Sequence, residues 1–259
     1  MPPINKNDDN HLLDSPHIFL DEIMRQENES EIISLTMDIR NGKPLTHFIG
    51  KEVQILDSEE LTTGMLQWAD QIICSTNATR VSLNNRMREL LGRSGDPQDG
   101  DKVICLKNNW NIYSINDNPL VNGTIGYLKN SFSTYLQIPK YISGDGKSKK
   151  LNLLNATFIS DTDDDYGTLN MDKQLILTGE PGLDWKTSYK MGKNWKWQDK
   201  IPDQFTYGYA ITGHKSQGSE WDKVLVIEEG FPFDREEHKR WLYTCATRAA
   251  KKLVIIRKG

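Results

Sequence analysis

The densest group of polar side chains in this chain occupies nine consecutive positions, "TGHKSQGSE", and an apolar run follows directly. We expect a strand to end at Thr212 and a helix to begin there, with the Thr212 hydroxyl as its cap. The free N–H groups of a helix N-terminus suit phosphate oxygens. The pattern therefore predicts that Thr212, His214 and Lys215 lie near one phosphate, while residues 217–220 face a second ligand. Taken alone, each residue is better explained as a plain cap or a solvated histidine or lysine, but stability alone does not require all eight polar and glycine residues together.

A second candidate is Arg248, in the stretch "RWLYTCATRAAKKL". It comes late on a predicted helix and just before an apolar strand, where the loops at the edge of an α/β sheet usually form a site. The alternative is structural, because a cation near a helix C-terminus is favoured by the helix dipole. The residues around Arg248 leave both interpretations open.

The bulk composition indicates a globular protein and limits its class. Of 259 residues, 26% are charged and 9% are aromatic, and the net charge is −4. That charge argues against a generally basic nucleic-acid coat protein, but it is compatible with a local basic groove. No apolar run approaches the ~18 residues of a membrane span. Cys74, Cys105 and Cys245 lack zinc-site spacing, which favours a reducing cytoplasmic compartment and predicts no metal site.

Buried strands alternate with helices towards both ends of the chain. The predicted strands read "QIICSTN", "FTYGYAIT", "DKVLVIEE" and "KLVIIR". Helices are predicted over "ESEIISLTMDIRNG", "TRVSLNNRMRELLG" and "DREEHKRWLYTCATRAA", the last capped by Asp234. The second helix is expected to bury Val81, Leu83, Met87, Leu90 and Leu91. This alternation implies an α/β fold with a mostly parallel sheet.

The middle of the chain has a different character. From Gly95 to Pro202 the sequence favours β structure, with strands over "DKVICLKN", "LNLLNATFIS" and "KQLILTG" and a hairpin at Asn122-Gly123. We expect a small barrel here, although Tyr141 to Trp197 shows no clear pattern. The predicted architecture is an α/β domain formed by residues 1–95 and 203–259, with a β module at 96–202 inserted between.

Together these stretches resemble a known family, the superfamily 1 DNA helicases. "YAITGHKSQGSEWDKVLV" is similar to their motif V and "LYTCATRAAKKLVII" to their motif VI, closest to the RecD/Dda-type branch. "PHIFLDEIMRQ" resembles motif IV, and "GDKVICLKNNW" with "LVNGTIGYL" resembles the start of that branch's SH3-like insertion. The resemblance implies a second RecA-like motor domain, of P-loop NTPase type, that travels 5′ to 3′ on DNA.

The resemblance also implies roles for individual residues. Arg248 and Arg25 would be arginine fingers to the γ-phosphate of ATP, with Gln217, Gly218 and Glu220 beside the nucleotide and Glu220 as a ribose acceptor. The residues implied to contact the backbone of single-stranded DNA are Thr212, His214, Lys215, Thr76 and Asn77. Trp110 or Tyr113 would stack on bases or pack in the core.

The first motor domain of such a helicase is expected to lie outside this sequence. "MPPI" resembles the tail of motif III, and "GKS" at Gly146 lacks the earlier glycine of a P-loop, since Tyr141 stands there. "IFLDE", with Asp21 and Glu22, fits motif IV better than a metal site. We therefore expect ATP and Mg²⁺ to be held by a partner domain, no ATPase activity from this chain alone, and a cytoplasmic, nucleoid or replication-associated protein. The alternative is a stand-alone single-stranded DNA-binding or adaptor module.

Overall fold

The computed structural model describes residues 30–229 and 235–257. Arg25, Asp21 and Glu22 of the motif IV stretch lie outside the described residues, and so does the predicted helix cap Asp234. The predictions for these four positions are therefore left as they stand.

The α/β fold with a parallel sheet is confirmed. Six strands lie in the order β1-β2-β13-β12-β3-β11, and all but β1 run parallel to their neighbours. They are β1 (Phe48–Ile49), β2 (Val53–Asp57), β3 (Gln71–Cys74), β11 (Ala210–Thr212), β12 (Trp221–Ile227) and β13 (Ala249–Arg257). The strands thus come from residues 48–74 and 210–257, on both sides of the middle block.

Helices cover both faces of this sheet, which explains why the central parts of its strands are apolar. Ile73 and Leu253 face one side, where α1 (Glu31–Arg40) and α6 (Arg235–Ala246) pack. Ile72 and Leu225 face the other side, where α2 (Thr63–Trp68) and α3 (Asn77–Leu90) pack. A 3₁₀ turn, Ser58–Glu60, follows β2.

A second, antiparallel sheet of five strands has the order β10-β4-β7-β8-β9; four of its strands come from the middle block, and β10 lies just beyond the predicted end of that block at 202. Its strands are β4 (Lys102–Cys105), β7 (Ile125–Ile138), β8 (Lys149–Ser160), β9 (Asp165–Asp172) and β10 (Phe205–Tyr207), with a separate pair β5 (Asn109–Tyr113) and β6 (Pro119–Leu120). The same block contains α4 (Lys173–Thr178), α5 (Trp185–Gly192) and a 3₁₀ turn, Gln198–Lys200. The β character agrees with the sequence, while a closed barrel stays a prediction.

Two predicted strands differ from the structure. "KQLILTG" is helix α4, because Asp172 accepts the Leu175 N–H at its start and Gly179 ends it with φ of 79°. "FTYGYAIT" is divided between the sheets, since β10 pairs with β4 and β11 pairs with β3. Gly208 lies between them, and its N–H donates to the carbonyl of Lys102. Local composition gives no sign of which sheet a short strand joins.

Two further expectations need correction. The Asn122-Gly123 turn exists, with Gly123 at φ of 97°, but it does not form a hairpin, because β6 pairs with β5 and β7 pairs with β4 and β8. In α3, Leu91 is exposed and the buried side chains are Asn84, Met87 and Arg88. Leu83 and Leu90 are partly buried against the core as expected. Asn84 is buried because it bonds the backbone of Ala210, and Arg88 because it joins an ionic cluster at the junction of the two sheets.

That cluster joins the inserted module to the parallel sheet. Asp101 is fully buried and accepts hydrogen bonds from Arg88 on α3 and Tyr209 before β11; Arg93 pairs with it at 3.1 Å. The neighbouring Lys102 reaches the side chain of Gln71 on β3 at 2.9 Å. Buried charges remain only where partners compensate their lost hydration, so this geometry sets how the two sheets meet.

Candidate nucleotide and nucleic-acid sites

The Thr212–Glu220 segment crosses the parallel sheet from one edge to the other. β11 and β12 both run parallel to β3, so the chain that leaves β11 at its carboxyl end must return to the amino end of β12. It does so in consecutive turns: Lys215 N–H and Ser216 N–H donate to Thr212 O, and Ser219 N–H donates to Ser216 O. The helix predicted to start at Thr212 is therefore wrong, and Thr212 caps no helix.

The turns pack against helix α6 at Gly213, and a hydrogen bond from Ser216 holds them together internally. Gly213 lies so close to α6 that a Cβ atom there would be 2.4 Å from Trp241 Nε1. Ser216 is buried and donates its hydroxyl to Gly213 O at 2.7 Å. Only a glycine allows this approach, and Gly218, at φ of 90°, supplies the backbone shape near the end of the segment. His214, Gln217 and Glu220 are left exposed.

Arg248 lies beside the end of this segment, at the amino edge of the sheet. Its Nη1 donates to Ser219 O at 3.1 Å, and its Nε and Nη2 donate to Thr244 O and Thr247 Oγ1. Trp221 N–H donates in turn to Arg248 O at 2.9 Å. The structure thus brings Arg248 next to the Gly218–Glu220 stretch, as a half-buried guanidinium held on three sides.

The candidate DNA-binding residues lie at the opposite, carboxyl edge. Thr212 stands in register with Cys74, so the residues that follow β3 are its neighbours. Thr76 caps α3 by accepting the Thr79 N–H at 3.2 Å, and Asn77 is exposed. Thr212, Thr76 and Asn77 are therefore brought together, although the structural role of Thr76 as a helix cap was not predicted.

Lys215 connects this edge to the inserted module. Its Nζ donates to Asn122 Oδ1 of the Asn122-Gly123 turn at 2.6 Å. Burial lowers the pKa of Lys215, and the charge of Arg80 on α3 lowers it as well. Arg80 itself donates to Asn77 Oδ1 at 3.2 Å. Arg80 and Asn122 are therefore members of the edge that sequence reasoning missed.

Glu229 is the other residue that the sequence did not reveal. Its carboxylate, just after β12, accepts the N–H groups of Ser75 and Thr76, both at 3.0 Å, and the hydroxyls of Ser75, Thr76 and Thr79. Burial alone would raise the pKa of Glu229, but these donors reverse the shift and hold the pKa below its usual value. An acid following a strand carries no signal of a partner some 150 residues away.

Neither a metal-ion cluster nor a membrane-spanning helix is found among the described residues. In the part of the chain that the structure describes, no three His, Cys, Asp or Glu side chains are grouped so as to hold a metal ion. Over the same residues, no helix combines the length and apolar character needed to cross a membrane. Trp110 and Tyr113 are 60% and 52% exposed, which excludes the core-packing alternative for both.

Comparison with known proteins bears on the same region. Residues 207–256 match the sequence profile of the UvrD-like helicase C-terminal domain. No curated protein matches the chain. Among solved structures, it is similar to the Pif1 helicase of Candida albicans (TM-score 0.47, 16% identity, 91% of this chain and 55% of that one). It is also similar to Bacteroides Pif1 in complex with ADP-AlF3 and ssDNA (TM-score 0.43, 14% identity, 90% and 50%).

The chain thus spans about half the length of these solved chains. The matched residues include both the segment from Thr212 to Glu220 and Arg248. The resemblance to the C-terminal region of a superfamily 1 helicase is confirmed for residues 207–256, which match the UvrD-like helicase C-terminal domain.

Proposed function

We propose that this chain is the C-terminal motor half of an ATP-dependent DNA helicase. One observation carries the proposal: a single turn-rich segment joins Thr212 at the carboxyl edge of the sheet to Ser219, whose carbonyl holds Arg248 at the amino edge. Two ligands bound at these edges would be connected by eight residues of fixed backbone, Gly213 to Glu220.

The nucleotide belongs at the amino edge. Arg248 supplies a permanent planar cation for the negative charge that spreads over the γ-phosphate during transfer, and Arg25 supplies a second one. Gln217, Gly218 and Glu220 line the same edge, with Glu220 accepting from the ribose. The fit is chemical: a fixed guanidinium lies beside exposed polar side chains. The phosphates and Mg²⁺ are held by the P-loop of a first RecA-like domain, in cis or in trans.

Single-stranded DNA belongs at the carboxyl edge. Thr212, His214 and Lys215, together with Thr76 and Asn77, contact its backbone, and Lys215 and Arg80 provide the positive charge. Such contacts do not depend on base sequence and weaken as salt rises. Because Glu229 already binds the Thr76 N–H, Thr76 acts mainly by placing Asn77 at the start of α3.

Coupling follows from the way the segment is attached. Gly213 packs the segment against α6 and Ser216 ties its first turn together, so closure of a partner domain on Arg248 and Glu220 moves the strand end at Thr212 with it. We propose a motor domain of residues 1–95 and 203–259, carrying an SH3-like insertion at 96–202 that braces the DNA. Travel is 5′ to 3′, in the cytoplasm or nucleoid.

The alternative function is a stand-alone single-stranded DNA-binding or adaptor module derived from a helicase. Such a module needs the carboxyl edge but has no use for an arginine fixed at the amino edge. The position of Arg248 therefore favours the motor half.

The test is to mix this chain with a separately produced P-loop domain of a related helicase and to measure DNA-stimulated ATP hydrolysis. Arg248→Ala and Arg248→Lys should each lower the restored rate by about 10³-fold, while Arg86→Ala, on the exposed face of α3, should not. Unchanged activity in Arg248→Ala would refute the finger assignment. DNA binding without restored hydrolysis in any mixture would favour the adaptor.

A further inference from the structure

Helix α5 and the residues after it carry a patch of exposed aromatic side chains. Trp185, Tyr189 and Trp195 are 72%, 62% and 75% exposed. Single exposed apolar residues are ordinary, but a large ring usually buries ~150–250 Å² and contributes strongly to stability when it does. Three such rings within residues 185–195 therefore need an explanation other than chance.

Each of these rings has its own lysine. The Nζ atoms of Lys186, Lys193 and Lys196 lie 5.9, 5.8 and 5.0 Å from the ring centroids of Trp185, Tyr189 and Trp195, respectively. The stretch "WKTSYKMGKNWKWQDK" contains five lysines and one aspartate, in a chain whose net charge is −4. We call these three rings and three lysines the aromatic–lysine patch. It is a local basic surface on an acidic protein.

The patch is rigid. Asp184 caps α5 by accepting the Thr187 N–H at 2.9 Å, and Lys190 donates from the helix to Ser143 O at 2.7 Å. The opposite face of α5 is buried in a separate core, in which Met191 and Trp197 pack on Ile138, Ile142, Leu151, Leu153 and Leu183. Trp185 and Tyr189 are thus exposed because the packed helix points them outward. Trp195 follows the helix, in a turn held by the hydrogen bonds from Asn194 N–H to Met191 O and from Trp197 N–H to Asn194 O.

The patch is also separate from the carboxyl edge already described. β7 pairs with β4, at the junction with the parallel sheet, through Ile125 to Tyr127. The core beneath α5 instead includes Ile138, at the other end of β7. Tyr127 and Ile138 are therefore roughly 35 Å apart along the strand, at ~3.3 Å per residue.

We propose that the aromatic–lysine patch is a second binding surface for single-stranded nucleic acid. Unpaired bases expose flat faces that stack on aromatic rings, and ammonium groups beside the rings match the phosphates between the bases. In a duplex the base faces are hidden, so exposed rings have little to contact there. An acidic peptide would meet the charge but would leave the rings unused. A single strand accounts for both the rings, through base stacking, and the lysines, through phosphate contacts, and neither interaction requires a particular base sequence.

The experiment measures binding of a labelled oligothymidylate to the full chain by fluorescence anisotropy over a range of salt. Replacing Trp185, Tyr189 and Trp195 by alanine should weaken binding at least about tenfold. Replacing Lys186, Lys193 and Lys196 by glutamine should lower the slope of log affinity against log salt by about two. The matched controls are Phe132→Ala and Lys129→Gln, both exposed on β7 away from the patch, and neither should change binding.

A second readout localises the contact. Amide hydrogen exchange of residues 185–197 should slow when the oligonucleotide binds, and duplex of the same length should give much less protection. The proposal is overturned if both patch variants bind like the original chain, or if duplex protects equally. It is also overturned if the variants lose only binding to vesicles of anionic lipid. Lys215→Gln tests the carboxyl edge independently. If Lys215→Gln weakens oligonucleotide binding while both patch variants bind like the original chain, the carboxyl edge would be supported as a DNA site and the aromatic–lysine patch would be rejected.

Discussion

Removal of the Glu229 charge is expected to destabilise the start of α3. The carboxylate binds the N–H groups of Ser75 and Thr76 and three hydroxyls, at the point where helix N–H groups lack partners. Glu229→Gln keeps one oxygen for the two N–H groups, and its amide group can donate to hydroxyls that rotate to accept. The substitution thus removes charge and leaves the shape unchanged.

The magnitude follows from the number of bonds that lose charge assistance. A hydrogen bond to a charged group contributes about 1.5–3 kcal/mol, and a neutral one about 1 kcal/mol. If each of the two N–H bonds loses about 0.5–1 kcal/mol, the free energy of unfolding should fall by about 1–2 kcal/mol. For a chain of this size the corresponding decrease in Tm is roughly 2–8 °C.

The effect should depend on pH in one direction. The pKa of Glu229 in the folded protein lies below its unfolded value of about 4.3. Its contribution is therefore fully present above that value and is lost as the pH falls through the folded pKa. The difference between the original chain and Glu229→Gln should be constant near pH 7 and should disappear in strong acid.

The assay is urea unfolding followed by circular dichroism at several pH values. The matched control is Glu89→Gln on the same helix, which breaks an exposed ion pair with Arg86 and should cost less than about 0.5 kcal/mol. If Glu229→Gln were no more destabilising than Glu89→Gln, or if its cost grew in acid, the assigned role of Glu229 would be wrong.

Three other substitutions test separate parts of the structure. Lys215→Gln should weaken binding of an oligothymidylate several-fold and lower its salt slope by about 0.7, as expected for one phosphate contact, and an unchanged slope would remove Lys215 from the DNA edge. Asp101→Asn should lower the free energy of unfolding by about 3–5 kcal/mol, because it leaves Arg88 buried without its counter-charge, whereas Asp222→Asn in an exposed pair should cost under about 1 kcal/mol. Gly213→Ala should cost about 1–3 kcal/mol by forcing α6 away from the turn, and a neutral result in urea unfolding would contradict the close approach to Trp241.

Much of the parallel sheet could be read from the sequence. The runs that became β3, β12 and β13 contain buried apolar stretches at 72–74, 224–226 and 253–256, because both faces of the sheet are covered there, and that pattern needs no knowledge of their neighbours. The short strands were harder. Three residues such as Phe205–Tyr207 bury themselves equally well in either sheet, so only pairing partners distant in sequence decide the outcome.

The candidate sites divide in the same way. The residue types of Thr212 to Glu220, and the motif around Arg248, carried the helicase resemblance that the match over residues 207–256 confirms, while the roles of the individual residues stay predictions. Glu229 and Asn122 were invisible, because a lone acid or a turn asparagine acquires its role only from the atoms it meets after folding. The aromatic–lysine patch was equally hidden, since the sequence of an unpatterned segment does not indicate whether a tryptophan is buried or exposed.

By itself, the sequence determined which side chains carry charge and hydrogen-bonding capacity, and which runs must be buried, because both are properties of residue type and spacing. The tertiary structure alone decided that Thr212 and Ser219 lie at opposite edges of one sheet, and that Arg248 is bound beside Ser219. The physical reason is that a parallel sheet forces every connection back across its face. Thr212 and Ser219, which are close in sequence, therefore lie at opposite edges, whereas Ser219 and Arg248, which are 29 residues apart, are hydrogen-bonded to each other.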